Sequence, residues 1–240
     1  KQYQDMKDLH LQLNMARGKP DFSQVQLSMP LLDVINSHYD FTDKKDYCNY
    51  GILDGIDEAK QLFADILETT PEHIIVYGNS SLTIMFDQIS RGYTHGYLGN
   101  TPWCRLDKIK FLCPVPGYDR HFAITEHFGF EMIPIPMDEN GPDMDLVEKY
   151  VQEDETVKGI WCVPLHSNPQ GVCYSDPVVE QLASMETAAE DFRIFWDNAY
   201  GIHHIYEEVP LKNILDACSR FHNPDRAYYF FSTSKIRFPG

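Results

Sequence analysis

The chain has 240 residues, of which 43% are hydrophobic, 13% aromatic and 23% charged. That composition excludes a collagenous, low-complexity or wholly disordered protein, because enough apolar side chain is present to offset the entropy of ordering the backbone. Its 20 Lys and Arg against 36 Asp and Glu leave a formal net charge of -16, with no basic block longer than Lys44-Lys45, so the positive stripe that nucleic acid needs is missing, and the apolar runs fall far short of the ~20 residues of a membrane span.

Residues 1–13 are charged and mildly amphipathic and lack the apolar centre of a signal peptide, so a cytoplasmic location is expected. A polar turn at Arg17-Gly18-Lys19-Pro20 and a helical pattern over 29–39 give the segment before about Lys44 a character of its own, that of a separate lobe. Ile56, Ala59, Leu62, Phe63, Ile66 and Leu67 recur at helix spacing and Pro71 follows them, which predicts a helix. Short apolar runs at 74–77, 109–113, 132–135, 160–163, 194–196 and 228–231 read as strands. Helical patterns at 81–91, 119–128, 143–151, 176–185 and 211–218 lie among them. This alternation predicts an α/β fold, a mostly parallel sheet covered by helices on both faces. Residues 92–103, rich in Gly, Thr and Asn, read as an ordered surface loop. The six cysteines show no CxxC spacing, and Cys113 and Cys162 sit in apolar runs as small hydrophobes. A reducing compartment without disulfides or a zinc site is expected.

In an open parallel sheet the ligand lies beyond the carboxyl ends of the strands, so the residues after each apolar run carry the chemistry. Gly78-Asn79-Ser80-Ser81 precedes a helix and aims free N–H groups at an anion such as phosphate; an ordinary N-cap explains the same residues. Ser167-Asn168-Pro169-Gln170-Gly171 fixes a turn that presents one amide, and a turn alone accounts for it. Asp197-Asn198-Ala199-Tyr200 places an acid at a strand end with a phenol three residues on, or else caps a helix. Ser232-Thr233-Ser234-Lys235 brings hydroxyls and an amine out of an apolar strand, where a lysine is costly unless it is used. Phosphate donors, an amide, an acid, a phenol and an amine match the needs of pyridoxal phosphate.

Six strings carry a family resemblance: NMARGKP (14–20), NYGILDG (49–55), CPVPGYDRHF (113–122), SNPQG (167–171), WDNAY (196–200) and STSK (232–235). With them the chain resembles the fold-type I pyridoxal-phosphate enzymes of the aspartate-aminotransferase superfamily, and within these the bacterial type Ic aspartate aminotransferases. The resemblance implies that Lys235 forms the Schiff base, Asp197 pairs with the pyridinium nitrogen, and Tyr200 and Asn168 bond the ring 3-oxygen. It implies that Tyr118 stacks on the ring, and that Gly78, Asn79, Ser80, Ser232 and Ser234 hold the phosphate. Tyr50 would reach the phosphate of a neighbouring subunit, making a homodimer with shared sites, while Gly18 and Arg17 would contact the substrate carboxylate. Residues 1–44 would then belong to the small domain and 45–240 to the large cofactor-binding domain, cut at its C-terminal end. The arginine for the phosphate, about eight residues after Lys235, and the rest of the small domain with the arginine for the substrate carboxylate would lie beyond Gly240. The implied reaction is transamination between aspartate and 2-oxoglutarate.

Three other readings compete. A non-catalytic domain that senses amino acids through the same cofactor would keep the site, as would a pyridoxal-phosphate-dependent lyase. A metal-dependent hydrolase would use His203, His204, Glu207 and Glu208, but adjacent histidines point apart on a strand and such i, i+4 pairs are common on solvated helices. His121 and His127 read as packed or surface residues.

Overall fold

Two consecutive strands with no polar face explain the centre of the fold. β4 (Val157–Cys162) and β5 (Arg193–Asp197) are buried along their whole length, so each must be covered by other elements on both sides. The computed structural model, which describes residues 1–12, 18–40, 47 and 49–238, supplies that cover. The remaining strands are β1 (Lys110–Val115), β2 (Glu131–Asp138), the two-residue β3 (Gly141–Pro142) and β6 (Ala227–Phe230). They form one six-stranded sheet in the order β3-β2-β1-β4-β5-β6, parallel except for the β2–β3 pair. The register runs straight across the middle, with Leu112 opposite Ile160, Ile160 opposite Ile194 and Ile194 opposite Ala227. The predicted α/β class, with helices on both faces of a mostly parallel sheet, is what the chain adopts.

Because strand side chains alternate, neighbours enter different cores. Leu112, Ile160, Ile194 and Trp196 pack with α6 (Met144–Glu153), α7 (Asp176–Ser184) and α8 (Ile214–Arg220). Phe111, Cys113, Trp161 and Phe195 pack on the other face with α4 (Ser81–His95) and α5 (Asp119–His127). The predicted helix at the start of this region is α3 (Asp57–Ile66).

Three expectations give way to local physics. Residues 74–77 form no strand: Val76 donates to the Asp54 carbonyl at 2.9 Å, while Ile75 and Tyr77 are exposed, so β-forming composition meets no ladder partner. The helix expected over 29–39 is a 3-10 turn, Met29–Asp33, that follows the short α2 (Phe22–Ser28). Pro30 lacks the N–H that would carry α2 onward, and Leu31, Leu32, Val34 and Ile35 beyond it are exposed, so no buried face holds a further helix. The segment at 92–103 is not simply a surface loop. α4 runs on to His95, Gly96 at φ 76 turns the chain, and Tyr97 and Trp103 enter the core. Trp103 Nε1 donates to Asp191 Oδ2 at 2.7 Å, and the other oxygen of that carboxylate holds Lys158 Nζ at 2.6 Å. A buried charge needs such a partner, and the pair anchors the turn.

Two compact units are present, residues 40–232 and residues 1–39 with 233–240. The second contains α1 (Gln2–Asp8) and α2, whose N-terminus carries a capping box between Asp21 and Gln24.

Candidate active site

The sheet reverses its winding direction between β1 and β4: the chain leaves β1 toward β2 on one side and returns on the other with β4. The carboxyl ends at such a reversal leave a crevice for ligands. β1 is followed by Pro116-Gly117-Tyr118 and then α5. Gly117 is required there, since a Cβ would stand 2.4 Å from the Pro114 carbonyl oxygen. After β4, Ser167 N donates to Val172 O at 2.8 Å and Val172 N donates to Ser167 Oγ at 3.1 Å, closing the turn that carries Asn168. A cavity at this end is lined by Tyr118, His121, Trp161, Ser167 and Asn168, among others.

Asp197, the last residue of β5, is 4% exposed. Its Oδ2 lies 2.9 Å from His121 Nε2, while its buried Oδ1 has no hydrogen-bond partner among the described residues. A carboxylate oxygen in that state is expensive without a donor. Tyr200 follows three residues later. Burial chiefly, then the charge of Asp197 and the presence of Tyr118, push its phenol above the ordinary value. The hydroxyl therefore stays protonated at neutral pH.

Ser80 caps α4, accepting from Thr83 N at 3.4 Å. Ser232 Oγ donates to the Asn79 carbonyl at 3.2 Å, so the segment just past β6 meets the turn before α4. A Cβ at Gly78 would meet nothing within 4 Å, so packing does not impose glycine there. Tyr118, Asn168, Asp197 and Tyr200 thus share the carboxyl end of the sheet, and Asn79 and Ser232 touch. Ser234 and Lys235 belong to the other compact unit, where a turn at 233–237 forms through Ile236 N and Arg237 N donating to Thr233 O at 2.9 and 3.0 Å. There Lys235 Nζ donates to the Gly18 carbonyl at 3.1 Å. Tyr50 is 98% exposed, and Arg17 lies outside the described residues. Among the described residues no group of three His, Cys, Asp or Glu is arranged to hold a metal, and no helix is long and apolar enough to cross a membrane.

The residue that sequence reasoning undervalued is His121. It is packed, as expected, but packed against the acid at the centre of the site. Its signal in the sequence is the spacing to Tyr118, one helical turn apart at the start of α5, which puts both on one face.

The aspartate amino-transferase family model matches residues 1–240. An aspartate aminotransferase of Corynebacterium glutamicum is 45% identical over 244 residues, covering 100% of this chain and 56% of the relative. The crystal structure of an aspartate transaminase from Corynebacterium glutamicum superposes with a TM-score of 0.91 at 45% identity, over 100% of this chain and 57% of that one. A multiple substrate aminotransferase from Thermococcus profundus shares the fold at a TM-score of 0.66 and 21% identity, over 100% and 57%. The chain thus spans a little over half the length of the curated relatives it matches, 57% and 56%. It belongs to the aspartate amino-transferase family.

Proposed function

We propose that this chain holds pyridoxal phosphate through Lys235 and that the whole protein transfers an amino group between an amino acid, aspartate, and a 2-oxo acid, 2-oxoglutarate. The observation that carries this reading is the buried Asp197, with Oδ2 held by His121 and Oδ1 left over. The donor that Oδ1 lacks is of the kind a protonated pyridine nitrogen offers, so the residues fit the cofactor. The family membership and the name of the 45% identical relative support the reaction and its amino donor.

When bound, pyridoxal phosphate supplies an aldehyde for the amino group and a ring that draws electron density away from the substrate Cα. The chain's own residues do the rest. Freed when the substrate amino group takes its place, Lys235 Nζ takes the proton from the substrate Cα and later returns one, acting as base and then acid. Asp197 keeps the ring nitrogen protonated, and His121 keeps Asp197 in place. Tyr200, a phenol at neutral pH because burial raises it, donates with Asn168 to the ring 3-oxygen, and Tyr118 covers one ring face. Gly78, Asn79, Ser80, Ser232 and Ser234 hold the phosphate, with Tyr50 reaching it from a second copy in a homodimer. Gly18 and Arg17 receive the substrate carboxylate. Residues 1–44 are assigned to the small domain and 45–240 to the large one, in the cytoplasm.

Absorbance tests the reading. The full-length protein with added pyridoxal phosphate is expected to show a visible band that the Lys235→Ala variant lacks, and to form glutamate from aspartate and 2-oxoglutarate. A wild-type protein without the band, or a band that survives in Lys235→Ala, defeats the assignment. A band without glutamate formation leaves the cofactor and removes the reaction.

A further inference from the structure

One hydrogen bond does not fix an imidazole, whose last side-chain torsion is broad. His121 has more than one constraint. Trp161 of β4 lies nearly flat on its ring, with centroids 4.7 Å apart and planes 10° from parallel. Tyr118 meets the same ring edge-on, at 5.2 Å and 85°. The indole is tethered in turn. Its Nε1 donates to Thr125 Oγ1 at 2.8 Å, and that hydroxyl donates to the His121 carbonyl at 3.1 Å.

Thr125 stands four residues after His121 on α5, so it occupies the same helix face one turn on. The side chain stacked on His121 is therefore bonded, through one hydroxyl, to the backbone of His121 itself. His121 and Thr125 are 1% exposed, Trp161 2% and Asp197 4%, so water does not compete for these bonds. A core indole needs some acceptor for its N–H. Here the acceptor closes a loop around the histidine that holds the acid.

We propose that Trp161 and Thr125 are positioning residues that lock the His121 ring with Nε2 on Asp197 Oδ2, leaving Asp197 Oδ1 aimed at the ligand. The locking rests on the distances alone; its consequence for the ligand rests on the cofactor reading above. Thr125 is not among the residues that line the cavity, and Trp161 borders it while stacked on His121. They act through His121, as a carboxylate or carbonyl acts through a metal-bound histidine.

The experiment uses the full-length protein and two readouts. One is the exchange of the His121 Nε2 proton in the cofactor-free protein, followed by nitrogen-15 NMR; the other is the dissociation constant for pyridoxal phosphate. Thr125→Val removes the hydroxyl at nearly constant volume. It is expected to speed proton exchange about tenfold and to weaken cofactor binding about tenfold, and Thr125→Ser is expected to restore both. Trp161→Phe keeps a flat ring without the N–H and tests the same bond from its other end, which covers the case of a Thr125→Val protein that does not fold. If the folded variants stay within about twofold of wild type in both readouts, the proposal is overturned. It is also overturned if Thr125→Ser loses as much as Thr125→Val, since packing of the methyl group would then explain the effect. If the wild-type protein binds no pyridoxal phosphate while proton exchange still responds, the positioning role stands and the cofactor reading alone falls.

Discussion

Gly159 sits inside β4, where glycine ordinarily weakens a strand. It is there because Phe111 of the neighbouring strand crosses over it: a Cβ would lie 2.3 Å from the ring's Cζ and 2.6 Å from Cε1. The ring cannot yield easily, since it is fully buried against Trp103, Phe130, Trp161 and Phe195. Gly159→Ala is therefore expected to destabilise the protein by about 1–3 kcal/mol through overpacking, read from the denaturant midpoint. A loss below about 0.5 kcal/mol would mean that the aromatic cluster relaxes at little cost. Cys113 in the same cluster illustrates the opposite case: burial pushes its thiol up to about 12, which makes it an inert core group. Single side chains differ in how much the sequence reveals of them. Asp197 is legible because an acid that closes an apolar run is chemically conspicuous. His121 is less so: its spacing to Tyr118 marks a shared face, but its acidic partner comes from 76 residues away, and only the fold brings the two together.

Strands and helices whose apolar pattern is satisfied by neighbours in the same sheet were readable in advance, down to β4 and α7. The failures at 29–39 and 74–77 have a common origin, since pattern records the preference of a segment and not whether a partner is available. Residue 154 shows what joins elements at their ends. Asp154 closes α6 and accepts from Thr156 N at 2.9 Å and Thr156 Oγ1 at 2.6 Å. It also receives Lys110 Nζ at 2.6 Å, which ties the start of β1 to the turn before β4. Lys110 chiefly, and then Thr156, hold the carboxyl down at about 2 against an ordinary 3.8. Because the folded value is the lower one, the stabilisation is complete above the unfolded value and is lost as pH falls through the window from 3.8 to about 2. The pair is partly exposed, so screening limits its contribution to about 1 kcal/mol. Wild type should exceed Asp154→Asn by that amount in urea unfolding at pH 7, and the gap should close by about pH 2. A gap that does not change with pH would remove the ion pair from the account.

For the molecule as a whole, the exposed run around Tyr50 bears on assembly. Tyr50 is 98% exposed, Leu53 92% and Ile52 43%, a concentration of large apolar side chains that a protein normally covers. If Tyr50 reaches the phosphate of a second copy, each site draws Lys235 from one subunit and Tyr50 from the other. That arrangement makes a testable prediction about mixtures. Lys235→Ala alone should be inactive, and Tyr50→Ala should lose about tenfold or more, the order expected for a hydrogen bond to a charged group. In a hybrid dimer of the two variants, one site collects both defects and the other collects neither. Refolding a mixture of the two should therefore restore activity above that of either variant alone, with sedimentation showing a dimer throughout. Were Tyr50 to serve the site of its own subunit, the hybrid would hold one dead site and one weakened one. Activity in the mixture would then never exceed that of Tyr50→Ala, and the shared-site assembly would have to be abandoned even if the protein proved dimeric.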